Sequence, residues 1–186
     1  AQLLGEPVPS VSAVRHIIGL GLPEAIALLF PNASISTREE IRQQYAKHFL
    51  AHSASKSELF TGAQSLLDQL QQQGYLLAIA TGKSRLGLNR VLAQTGIGHY
   101  FVATRCADET ASKPDPLMLR QLLAYTGSSA EQSVMIGDTS YDMEMAQALE
   151  MPRIAVSYGV HSKDMLQSYQ PLAIVDSIYQ LQDYLI

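Results

Sequence analysis

Two aspartates, Asp138 and Asp142, sit four residues apart directly after the short apolar run Val134-Met135-Ile136-Gly137. Residues spaced by four share one face of a helix. Where a strand gives way to a helix, such a pair therefore offers hard oxygen ligands within reach of one Mg2+. Open α/β sheets bind ligands at the carboxyl ends of their strands, which is where this pair would lie. The same side chains would also serve as helix caps. A second apolar run, Tyr75 to Ala80, ends in Thr81-Gly82-Lys83-Ser84, and Leu86, Arg90 and Val91 then begin a helical pattern. A hydroxyl with free backbone N–H groups at that turn suits a phosphoryl oxygen. Between the two motifs, Ala111-Ser112-Lys113-Pro114-Asp115-Pro116 holds an ammonium on a restrained loop, with Asp115 able to cap a helix whose first residue is Pro116. Lys113 is expected to be an exposed loop lysine.

The elements that must position these residues are legible from hydrophobic spacing. The first sixty residues read as helices only. Val14, Ile17 and Ile18 lead to Gly19-Leu20-Gly21, which breaks the pattern, and Pro23 opens a helix carrying Ile26, Leu28, Leu29 and Phe30. Ser36-Thr37-Arg38-Glu39 has the form of a capping box before a longer helix with Ile41, Tyr45, Phe49 and Leu50. From Thr61 onward helices alternate with short strands. Gly74 and Gly96 stop helices; strands are expected around Val102, Val134, Ile154 and Ile174, and helices over 117–125 and 141–149. The alternation predicts an α/β fold with a mostly parallel, doubly wound sheet. Its expected organisation is a helical cap over residues 1–58 and a Rossmann-like core over 59–186.

The order Thr81-Gly82, Lys113-Pro114 and Gly137-Asp138 with Asp142 resembles the haloacid dehalogenase-like hydrolases, most closely their phosphoglycolate-phosphatase-like branch, over nearly the whole chain. The resemblance implies that Thr81 and Gly82 bind the transferring phosphoryl group, that Lys113 neutralises it and orients the nucleophile, and that Asp138 and Asp142 hold Mg2+. It implies hydrolysis of a small phosphorylated metabolite through an aspartyl-phosphate. It also implies a cap that closes over the site, with Gly19-Leu20-Gly21 as a loop facing substrate.

The family's first motif, Asp-x-Asp-Gly-Thr at the end of a central first strand, has no counterpart here. Ahead of Thr81 the sole aspartate is Asp68, in a helical pattern beside Leu66, Leu67 and Leu70, and the chain begins at Ala1. The expectation is a chain without its first strand and without the attacking carboxylate, hence inactive alone. A phosphosugar mutase with the same motifs is the alternative enzyme reading. A catalytically silent fragment or binding module is the alternative outside enzymes, and a metal-free dehalogenase has no need of the Gly137-Asp138 carboxylate.

Composition narrows the classes. The chain has 186 residues, 47% apolar and 16% charged, without charge blocks, which argues against disorder. A net charge of −4 gives no general attraction to nucleic acid. An anionic substrate needs a local positive patch, for which Lys83, Arg85, Lys113 and a bound Mg2+ are the candidates. No apolar run approaches the roughly 18 residues that span a bilayer. Together with the single Cys106, this fits a cytoplasmic protein without membrane or nucleic-acid partners. Gly82-Lys83-Ser84 mimics part of a P-loop, but the glycine required five residues earlier is Leu77. His48 and His52 have metal-ligand spacing without a third ligand. His16, His99 and His161 read as ordinary polar or packing residues, and Met143 and Met145 as candidates for core filling.

Overall fold

Helical periodicity without strand signals at the start of the chain produces three helices, α1 (Val11–His16), α2 (Leu22–Leu29) and α3 (Ile35–His52). This is seen in a computed structural model that describes residues 1–52 and 58–186, with side chains of 50–52 left aside. The expectations for the Leu50 and His52 side chains lie outside the described residues. Ile26 and Phe30 of α2 pack on Ile41 of α3 as a small core of their own. The cap of α3 lies two residues earlier than the Ser36 pattern suggests: the Ser34 hydroxyl accepts the Thr37 amide at 3.1 Å. Glu39 instead turns to Arg42 and Gln43 on its own helix.

The remainder alternates as expected. In order come α4 (Ala63–Gln72), β1 (Leu77–Thr81), α5 (Arg85–Thr95), β2 (Phe101–Cys106), α6 (Leu117–Thr126), β3 (Met135–Gly137) and α7 (Ser140–Gln147). They are followed by β4 (Arg153–Val156), α8 (Lys163–Gln167), β5 (Ala173–Val175) and α9 (Ile178–Leu185). Gly96 ends α5 with a φ of 74°, a left-handed conformation open to glycine for want of a Cβ, and its amide donates to the Leu92 carbonyl. The helix starts one residue later than expected, with Pro116 at its N-cap, and Asp115 lies one residue before the cap, its Oδ1 accepting the Leu117 amide at 2.8 Å.

Every strand pairing is parallel, but the strands do not form one continuous sheet. β1 pairs with β2, and β3 with β4 and β4 with β5, as two separate sheets. Helices cover both faces. Leu77 packs on the cluster of Leu66, Leu70, Ile154, Val175, Leu181 and Leu185, which is built from α4, α9 and strands β4 and β5. Ala80, three residues on and so on the opposite face of the strand, packs on the cluster of Met118, Leu119, Met145, Ala146 and Met151. Val134 and Met135 divide between the same two clusters.

The distribution of burial departs from that of a doubly wound sheet. β4 is the buried strand, whereas Leu76 is 57% exposed and Ile136 of β3 is 37% exposed. The run from Tyr75 to Ala80 reads as a buried strand because it is apolar on both faces. It is only partly covered because, among the described residues, no strand runs along its far edge.

Met143 and Met145 are both fully buried, and so is Cys106 at the end of β2, whose thiol burial pushes up to about 11. Ellman's reagent at pH 8 should therefore leave Cys106 unmodified in the native protein and label it fully in denaturant. Stoichiometric labelling of the native protein within seconds would contradict this packing.

Candidate active site

The carboxyl ends of β1 and β3 lie at one edge, and the loop after α1 joins them. A Cβ placed on Gly82 would lie 2.4 Å from the Gly19 carbonyl oxygen and 2.6 Å from that of Leu20. A Cβ on Gly19 would lie 3.0 Å from Thr139 Oγ1. The Gly21 amide donates to Ser112 Oγ at 2.7 Å. One three-residue loop thus touches the turn after β1, the loop before Lys113 and the turn after β3. Thr81 and Asp138 neighbour Gly82 and Thr139 in sequence, and Lys113 pairs with Asp142 beside them.

Lys113 is buried, at 7% exposure, and its Nζ lies 2.5 Å from Asp142 Oδ1. The expectation of an exposed loop lysine is corrected: the peptide bond to Pro114 is cis, and the side chain turns inward to a carboxylate itself 3% exposed. Removing one partner of such a pair leaves an uncompensated buried charge, at a cost of about 3–5 kcal/mol.

Asp142 has a second task. Its Oδ2 accepts the Thr139 amide at 3.1 Å and the Thr139 hydroxyl at 2.7 Å, and the Asp142 amide donates back to Thr139 Oγ1 at 3.3 Å. This is a capping box at the start of α7. Both carboxylate oxygens of Asp142 are therefore occupied by protein groups. Asp138 differs: its Oδ2 accepts the Val160 amide at 2.9 Å, and its half-buried carboxylate stands at the strand end. Among the described residues no group of three or more His, Cys, Asp or Glu is arranged to hold a metal. Mg2+ commonly takes only one or two protein carboxylates, with water and phosphate completing the shell, so the chemistry of Asp138 fits a ligand.

The other candidates separate. Thr81 is half-buried at the end of β1, its Oγ1 accepting the Lys83 amide at 3.2 Å. Ser84 caps α5 through the Gly87 amide at 3.2 Å, so Gly82-Lys83-Ser84 is a strand-to-helix turn. Arg85 is spent on structure: its guanidinium makes a two-pronged contact with Glu109 at 2.6 and 2.7 Å, which raises its own pKa and lowers that of the glutamate. It adds little to a positive patch, which leaves exposed Lys83 and buried Lys113 at this edge. Asp68 lies elsewhere, accepting the Tyr100 hydroxyl.

Sequence reasoning passed over His161, which is 5% exposed and lies against the site. Its Nδ1 accepts the Ser140 amide at 2.9 Å, its backbone amide donates to the Asp138 carbonyl at 3.2 Å, and its ring stacks on that of His16 at 5.6 Å. Burial lowers the imidazole pKa, and accepting at Nδ1 requires the neutral ring with its proton on Nε2, which lies 3.2 Å from the His16 carbonyl oxygen. No local pattern around His161 signals this, because its partners come from α1 and α7. Thr139 was readable: Thr139-x-x-Asp142 is a capping-box spacing.

The profile of the family described as haloacid dehalogenase-like hydrolase matches residues 2–156. The chain belongs to the haloacid dehalogenase-like hydrolases. It is similar to IndB of Dickeya dadantii, a probable phosphatase, with 32% identity over 183 residues, covering 96% of this chain and 79% of the relative. It is 30% identical over 182 residues to the plasmid-borne phosphoglycolate phosphatase of Cupriavidus necator, with the same two coverages. Among solved structures, a haloacid dehalogenase-like hydrolase from Bacteroides fragilis superposes with a TM-score of 0.88 at 23% identity, covering 97% of this chain and 86% of that one. A family protein from Streptococcus pneumoniae gives 0.82 at 26% identity, with coverages of 98% and 85%. The parallel α/β architecture is thus that of the hydrolase family.

The close approach at Gly82 gives a direct check on the loop. Gly82→Ala should force the Gly19-Leu20 backbone away and cost about 1–3 kcal/mol. Hydrogen exchange at the Gly21 amide should accelerate in the same variant. An unchanged denaturation midpoint with unchanged Gly21 protection would contradict the seat described here.

Proposed function

We propose that this chain carries the phosphoryl-binding and charge-neutralising part of a Mg2+-dependent phosphatase acting on a small phosphate monoester. The observation that carries the reading is the seating of the Gly19–Gly21 loop on Gly82, Thr139 and Ser112, beside the buried pair of Lys113 and Asp142. The resemblance of Thr81, Gly82, Lys113 and Asp138 to the family motifs supports their roles, and the phosphatase names of the relatives support the reaction class. A phosphorylated small acid is the substrate class favoured by the relative from Cupriavidus necator.

Each residue has a defined task. The Thr81 hydroxyl and the amides of the turn that follows bind phosphoryl oxygens. Lys113 brings a positive charge that costs no reorganisation during reaction, because Asp142 already fixes its ammonium. Asp142 acts through Lys113 and through the start of α7, and Asp138 holds the metal. Bound Mg2+ would lower the repulsion between an anionic phosphate and an anionic carboxylate nucleophile. The helices α1–α3 form the cap, and the Gly19–Gly21 loop excludes water from the phosphoryl group.

The attacking carboxylate is not supplied by the aspartates at this edge. Asp142 is enclosed by Lys113 and Thr139, and Asp138 is the metal ligand in this reading. We infer that an aspartyl-phosphate forms on a carboxylate outside these residues, and that the 186-residue chain alone does not turn over.

Two measurements test this reading. The chain, its mass confirmed, should not release p-nitrophenol from p-nitrophenyl phosphate with or without Mg2+, and turnover at ordinary phosphatase rates would contradict the assignment. Titration with Mn2+ followed by electron paramagnetic resonance should detect binding that Asp138→Asn weakens roughly tenfold or more. Equal affinity in the two proteins would remove Asp138 from the metal site.

A further inference from the structure

The loop that follows β4 wraps Asp138. The Val160 amide donates to Asp138 Oδ2 at 2.9 Å, and the His161 amide donates to the Asp138 carbonyl oxygen at 3.2 Å. Gly159 passes so close that a Cβ there would overlap the Asp138 side chain. The orientation of this carboxylate therefore follows the path of residues 159–161. What anchors that path is the His161 ring, which is buried and bonded at both nitrogens. Nδ1 accepts the Ser140 amide, the first of α7, at 2.9 Å, and Nε2–H donates to the His16 carbonyl, the last of α1, at 3.2 Å. Both are helix-terminal groups that lack a partner inside their own helix. A neutral imidazole suits them, since it carries one donor and one acceptor on a rigid ring. Tyr141 adds a second donor to the same carbonyl, its hydroxyl lying 3.0 Å from it, and its ring stands edge-on to that of His161 with 5.6 Å between centroids.

We propose that His161 is a positioning residue that ties the end of α1 to the orientation of the Asp138 carboxylate. The connection is short: the His16 carbonyl, the imidazole, the backbone of residues 160 and 161, and then the carboxylate. If α1 lifts, the buried Nε2–H loses its acceptor, and an unpaired buried donor is costly. The loop relieves that cost by carrying the ring toward water, and the Val160 amide moves with it. A change in α1 thereby reaches Asp138 through a residue that is itself no metal ligand. Groups behind a ligand commonly govern metal affinity by holding the ligand in place. The consequence for metal binding rests on the reading of Asp138 as the Mg2+ ligand, whereas the positioning of its carboxylate does not.

The test applies two readouts to the 186-residue chain: hydrogen exchange at the Val160 amide without metal, and Mn2+ affinity by electron paramagnetic resonance. His161→Leu keeps the apolar bulk and removes both ring bonds. Exchange at Val160 should accelerate about tenfold, and Mn2+ should bind about tenfold more weakly. His161→Gln keeps one donor group and one acceptor, and should return both readouts to within about twofold of the wild type. A space-filling role predicts the reverse order, with leucine the milder change. Val14→Pro removes the Val14 amide that donates to the Ser10 carbonyl and breaks α1, an element other than that of Asp138. It should reproduce both changes, and it tests the coupling even if His161→Leu does not fold. In a folded chain already carrying His161→Leu it should add nothing further. Unchanged Val160 exchange in His161→Leu or in Val14→Pro overturns the proposal, as does glutamine performing no better than leucine, or a full additional effect of Val14→Pro in the double variant. So does unchanged Mn2+ affinity in His161→Leu where Asp138→Asn weakens it. Failure of the metal reading is separate: if Val160 exchange follows His161 while Asp138→Asn leaves Mn2+ affinity unchanged, Asp138 is not the ligand and its positioning by His161 stands.

Discussion

The buried contact between Lys113 and Asp142 is the constraint around which the site edge is arranged. Lys113 belongs to the loop that follows β2, in the two-stranded sheet, and Asp142 to the helix that follows β3, in the three-stranded sheet. Among the described residues no strand ladder connects those sheets, so this ion pair, the shared helices and the Gly19–Gly21 loop hold the two strand ends in register. Solvent does little to weaken the pair, since both side chains are almost wholly buried and Asp142 keeps its second oxygen on Thr139. A lysine fixed in this manner is preorganised, which is what stabilising charge on a transferring group requires.

The same arrangement explains why the two carboxylates have different tasks. A spacing of four places both near the start of α7, and spacing alone makes them equivalent. The structure separates them. Thr139 at the N-cap and Lys113 from across the gap claim Asp142, while Asp138 remains at the strand end with the Val160 amide on one oxygen. A carboxylate at position N3 of a helix is drawn to the N-cap amide, and here the lysine completes its coordination.

Much of this was legible in the sequence because it depends on local chemistry. Gly96 stopping α5, Asp115 accepting the first amide of α6 and the apolar runs of β3, β4 and β5 all act within a few residues. Thr81 and Asp138 at strand ends were legible in the same manner, since each directly closes an apolar run. What was not legible depends on distant partners. The inward turn of Lys113 needs Asp142, the place of His161 needs Ser140 and the His16 carbonyl, and the neutralisation of Arg85 needs Glu109. The division of the sheet is carried by no local pattern; it was expected only from the family resemblance, whose central first strand has no counterpart in this sequence.

The most direct test of the central claim is a double-mutant cycle on stability with Lys113→Met, Asp142→Asn and the double variant, each unfolded in urea. If the pair joins the two halves of the sheet, each single change leaves a buried group without its partner. The double change should then cost at least about 2 kcal/mol less than the sum of the singles. Additivity within about 0.5 kcal/mol would show that Lys113 and Asp142 act independently, and would contradict the account.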